Sequence, residues 1–63
     1  MSLDEAVYVK YAPELLRFAA GLVGPSMADD VLSSAFLHAS SSRRWAIVED
    51  KRAYLYRTVL NFA

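Results

Sequence analysis

The run Leu22-Val23-Gly24-Pro25-Ser26-Met27-Ala28-Asp29-Asp30-Val31-Leu32 divides the chain. Glycine lacks a Cβ and proline lacks a backbone N–H, so Gly24-Pro25 stops the helix that precedes it. Ser26 follows, with Asp29 three places on, a spacing that resembles a capping box with Asp in place of Glu or Gln. Asp30 adds a second acid to what reads as the first turn of a new helix. Leu32, Phe36 and Ala39, with Val31 and Ala35 beside them, then recur at helical spacing and predict its buried stripe. Ser33, Ser34, Leu37 and His38 fall off that stripe.

Upstream, a helix is expected from about Asp4 to Val23, with Asp4 and Glu5 at the positive end of its dipole. Leu15, Phe18, Ala19 and Leu22 make its apolar stripe. Pro13 predicts a kink or break, with Ala12 biased away from helical geometry. Downstream, Ser40-Ser41-Ser42 has poor helix propensity and is expected to fray into a loop that continues through Glu49. Asp50 is a good N-cap for a third helix. On it Tyr54, Arg57, Thr58 and Asn61 share one face, while Leu55, Val59 and Phe62 line another. The chain stops at Ala63 without a C-cap signal, so a helix cut mid-course and a fragment of a longer protein are expected. The expectation is an all-α, compact three-helix domain over residues 1–63.

Composition narrows the classes. A chain of 63 residues has room for one domain, and units this small usually need a disulfide, a metal or a partner. There is no Cys, which removes disulfides and thiolate metal sites. With 56% hydrophobic residues the chain is too apolar for disorder. No apolar run approaches the roughly 20 residues that span a bilayer, and acids stand where a secretory signal needs positive charge. A soluble, cytoplasmic protein is expected. The net charge of zero conceals a split. Through Ser42 the bases Lys10 and Arg17 face five acids, Asp4, Glu5, Glu14, Asp29 and Asp30. From Arg43 onward five bases, Arg43, Arg44, Lys51, Arg52 and Arg57, face only Glu49 and Asp50. The split has two readings, two partner surfaces with nucleic-acid contact in the C-terminal third or the chance segregation of seven charges of each sign in a small protein.

No catalytic set emerges. The single His, His38, has no sequence-evident partner for nucleophilic chemistry and reads as a surface residue. Asp29 and Asp30 point about 100° apart on a helix and read as helix-start acids, not metal ligands. Neither Gly21 nor Gly24 belongs to a phosphate loop. No enzyme activity, metal or cofactor is expected. The constellation that remains is basic and aromatic: Arg43, Arg44 and Trp45, then Lys51, Arg52, Tyr54, Arg57, Thr58 and Asn61. Cations contact phosphate, aromatic faces stack on unpaired bases, and Asn offers a donor and an acceptor to a base edge. Trp45 has two readings here, a base platform or a core plug, and the tyrosines too can simply pack.

Three pieces together resemble region 2 of the sigma-70 family, in particular the short extracytoplasmic-function sigma factors of bacteria. They are Tyr11-Ala12-Pro13-Glu14-Leu15-Leu16-Arg17-Phe18-Ala19 with Leu22-Val23-Gly24; Ala28-Asp29-Asp30-Val31-Leu32 with Ala35-Phe36-Leu37; and Trp45, Val48, Asp50 with Arg52 to Asn61. The resemblance implies a transcription initiation domain that binds core RNA polymerase and the melted −10 promoter element. Carried over by position, it puts Asp30, Ser33, Ser34 and Leu37 against a coiled coil of the polymerase's largest subunit. It puts Trp45, Tyr54, Arg57, Thr58 and Asn61 in or beside the promoter-reading segment. An anti-sigma factor is a further partner it allows. Two departures stand out. Many members carry Gln-Glu where this chain has Ser33-Ser34, and an aromatic–basic pair near Ser40-Ser41. The family's continuation past the Asn and its −35-reading domain are absent from this sequence. The alternative is a helical protein-interaction module of the same fold without DNA binding, which the Ser-rich stretch favours.

Overall fold

Helix α1 spans Leu3–Val23, α2 spans Pro25–Ser41 and α3 spans Lys51–Phe62, with a 3-10 turn at Arg43–Ala46 between the last two. This arrangement is that of a computed structural model describing residues 3–63, with side chains from Glu5 onward. The dipole role expected of Asp4 lies outside the described side chains. The fold is all-α with three helices, and its radius of gyration of 10.9 Å is close to the roughly 10.6 Å of a compact chain this long. Among the described residues no helix is long and apolar enough to cross a membrane.

The turn between α1 and α2 departs from the capping box that Ser26 and Asp29 suggest. Gly24 is the N-cap, at φ 90° and ψ 156°, and no side chain caps the helix. That backbone region is essentially closed to residues with a Cβ. Pro25 takes the first turn, where an absent N–H leaves no helical bond unmade. Ser26 is therefore already inside the helix and lacks the extended backbone of a cap. Asp29 and Asp30 lie beyond the first turn for the same reason. α1 also runs unbroken through Pro13, which is exposed; the Val9 carbonyl it deprives of a partner lies on an equally exposed residue.

The serine run does not fray where expected. The hydroxyls of Ser40 and Ser41 donate back to the Leu37 carbonyl, at 3.3 Å and 2.6 Å, within a helix that continues to Ser41. Ser42 then caps the 3-10 turn, its Oγ accepting from the Arg44 N–H at 3.2 Å. Asp50 caps α3 as its position predicts, accepting from the Ala53 N–H at 3.0 Å.

The core follows the stripes. Ala28, Leu32, Ala35 and Ala39 of α2 are buried between Leu15 and Ala19 of α1 and Leu55 and Val59 of α3. Three alanines in that stripe let the neighbouring helices approach α2 closely. Leu22 departs from its expected place: at the last turn of α1, beside the Gly24 turn, it is 42% exposed. Phe62, at the last turn of α3, is 43% exposed and packs on His38 instead of the core.

A polar clasp ties α1 to α3. Arg52 donates to both carboxylate oxygens of Glu14 at 2.8–3.1 Å, and the Tyr56 hydroxyl donates to the same group at 2.8 Å. The Arg52 guanidinium also lies over the Tyr56 ring, 5.0 Å from its centroid. These hydrogen bonds, from Arg52 first and Tyr56 second, hold the Glu14 carboxyl below its ordinary 4.5. The bond to Glu14 conversely raises the Tyr56 phenol above 10.0.

The two glycines should respond oppositely to a methyl group. Gly24→Ala should lose about 1–3 kcal/mol through backbone strain alone, because nothing lies within 4 Å of the position its Cβ would take. Gly21→Ala, in the exposed interior of α1, should gain about 0.5–1 kcal/mol. Urea denaturation checks both, and equal effects would contradict the Gly24 geometry. Glu14 should stabilise the fold fully above pH 4.5 and cease to do so as pH falls through its lowered value. Glu14→Gln should accordingly flatten the acid limb of a stability–pH curve, an unchanged limb being the contrary result.

Candidate nucleic-acid interface

The residues assigned to DNA from sequence separate into two groups, with Arg43 in neither. Arg44, Tyr54, Arg57, Thr58 and Asn61 line one surface cleft of about 200 Å³, with His38 and Phe62 completing it. The cleft is built where the 3-10 turn brings Arg44 back toward α3, and where α2 presents His38 to the last turns of that helix. Among the described residues no carboxylate lines it. Thr58 is buried at the floor of the cleft, and its hydroxyl donates to the Tyr54 carbonyl at 2.8 Å within α3. Tyr54 and Arg57 also wall a neighbouring depression of about 210 Å³ with Val48, Asp50 and Ala53.

Trp45 and Lys51 form the second group, which holds the loop. Trp45 is 5% exposed and sits in the core, edge-on to Phe36 at 5.8 Å and to Tyr54 at 6.1 Å. Lys51 lies over its ring at 5.1 Å and donates to the Val48 carbonyl at 3.3 Å. Of the two readings of Trp45, the geometry is that of the plug: with its ring covered, it offers no open face to a base. Arg43 is exposed outside the cleft.

Arg52 is drawn away from the cleft by Glu14. At about 100° per residue, Arg52 and Tyr56 lie roughly opposite Tyr54, Arg57 and Asn61 around α3. The clasp therefore fixes the rotation of α3 that points Arg57 and Asn61 outward. Sequence reading missed His38 and Phe62 as cleft residues. Their rings meet at 5.4 Å, a pairing set by how α2 crosses α3 and carrying no local signal.

The residues assigned to polymerase occupy a separate surface. Asp30, Ser33, Ser34 and Leu37 are all exposed on the outer face of α2, Leu37 at 69%. Met27 is exposed one turn before Asp30, so two large apolar side chains stand clear of the core on this helix. Among the described residues no group of three or more His, Cys, Asp or Glu is placed to hold a metal ion. Comparison with models of known protein families, with curated proteins and with solved structures finds no match to this chain.

Trp45 is the only tryptophan, so its emission reports the plug directly. Its fluorescence should be blue-shifted and only weakly quenched by acrylamide in the folded chain, with quenching rising on unfolding. Strong quenching of the folded chain would contradict its placement.

Proposed function

We propose that the chain is a transcription initiation domain similar to sigma-factor region 2, a binding module without enzymatic activity. It docks on core RNA polymerase through the outer face of α2 and holds melted −10 promoter DNA in the cleft between α2, the 3-10 turn and α3. The observation that carries this reading is the cleft itself. The Arg57 guanidinium, the Asn61 amide and the Tyr54 and Phe62 rings of α3 meet the Arg44 guanidinium of the 3-10 turn there, with no opposing carboxylate among the described residues. Guanidiniums suit phosphate, the Asn61 amide suits a base edge, and the Tyr54 and Phe62 rings suit an unstacked base. An unpaired strand is the natural occupant, since extracting a base from a duplex costs a few kcal/mol.

Leu37 and Met27 are exposed on the helix that this reading gives to the polymerase. They are also what a protein-interaction module without DNA binding would need. The two readings differ only in the cleft. An anti-sigma factor, if this chain has one, would compete for these same surfaces.

A labelled single-stranded −10-like oligonucleotide should bind with a salt-dependent affinity, followed by anisotropy. Arg57→Ala should lower the slope of log K against log salt by about 0.7, one phosphate contact to a single strand. Asn61→Ala should lose about 1–3 kcal/mol of discrimination between bases while keeping that slope. Arg17→Ala, in the separate depression between α1 and the start of α2, should change neither. Binding of polymerase with no strand affinity at low salt would favour the protein-interaction module.

A further inference from the structure

His38 has no role in the function proposed above, yet it lines the cleft from α2, across from Arg57 and Asn61. Its ring is steadied against Phe62, centroids 5.4 Å apart and planes at 59°. The charged and titratable groups that face it are Arg44 from the 3-10 turn and Tyr54 and Arg57 from α3. α2 itself carries no charge between Asp30 and Arg43 except what His38 can bear, and no carboxylate among the described residues lines the cleft. Nothing lining the cleft therefore neutralises a protonated imidazole. An oxyanion entering between the two guanidiniums does.

We infer that His38 is a nucleic-acid ligand of this cleft. Its imidazolium makes a third cationic contact to a phosphodiester held by Arg44 and Arg57, and single-strand binding takes up a proton in consequence. The inference rests on the reading of the cleft as a single-strand site. The physical reason is linkage: if the bound strand interacts with imidazolium more favourably than with neutral imidazole, protonation and binding reinforce each other. The sign is fixed by that coupling. Affinity rises as pH falls across the range where imidazole gains its proton.

Anisotropy of a labelled single-stranded oligonucleotide tests this with the full chain, between about pH 8 and about pH 5.5. Glu14 titrates below 4.5, so the clasp between α1 and α3 is intact over this range. The wild type should gain about fivefold in affinity over that span relative to His38→Gln, the size of one partly exposed ion pair. His38→Arg should bind tightly at both ends, restoring the cation without the titration. At the acid end, His38→Gln should show a log K against log salt slope shallower by about 0.7 than the wild type. Parallel pH profiles for wild type and His38→Gln, with strand binding intact in both, would overturn the role of His38 alone. Absence of strand binding by the wild type at every pH would overturn the single-strand reading and this inference with it.

Discussion

The ring of Trp45 meets Phe36 of α2 on one side and Tyr54 of α3 on the other, with Lys51 laid across it. Phe36 in turn meets Tyr8 of α1 at 4.7 Å, so a chain of rings runs through every helix of the fold. In a domain this small the aliphatic core is thin: Leu15, Leu32, Leu55 and Val59 are its largest fully buried side chains. The aromatic chain adds the area those four cannot supply. It also sets the geometry of the surface. Because Trp45 is pinned, Arg44 beside it is held against α3, and the cleft has a third wall. A loop without that anchor would leave Arg57 and Asn61 on an open helix face.

The clasp of Glu14, Arg52 and Tyr56 does the complementary work from the opposite side of α3. It is half in solvent, with Arg52 53% exposed and Glu14 28%, so its value lies less in gross stability than in orientation. Two of its three members come from one helix face, spaced by one turn, and they leave the other face to the cleft. Thr58 finishes the arrangement by satisfying its buried hydroxyl within α3. Charge is thereby sorted on α3: Arg52 and Lys51 are engaged with the fold, while Arg57 joins Arg44 of the 3-10 turn in lining the cleft.

Much of this could be read in the sequence wherever the determining physics is local. Helical periodicity located the stripe of α2 and, apart from Phe62, that of α3, Asp50 declared its cap, and the off-stripe residues Ser33, Ser34, Leu37 and His38 are exposed. The common face of Tyr54, Arg57, Thr58 and Asn61 was legible from spacing, although the burial of Thr58 was not. Errors gathered where two local signals compete. Pro25 at the helix start overrode Ser26 as a cap, and hydroxyl back-bonding kept Ser40 and Ser41 helical against their propensity. What no local pattern could supply was the company each residue keeps. The pairing of Arg52 with Glu14 and of His38 with Phe62 depends on helix crossings. So does the choice between plug and platform at Trp45, where residue type alone permits both.

The proposed function puts a single strand of promoter DNA in the cleft between α2, the 3-10 turn and α3. Amide chemical-shift mapping of the labelled chain, titrated with an unpaired −10-like strand, addresses it most directly. Shifts should concentrate at His38, Arg44, Tyr54, Arg57, Asn61 and Phe62, with α1 around Arg17 unmoved. Shifts centred on Met27 to Leu37 of α2, or none on adding the strand, would contradict it.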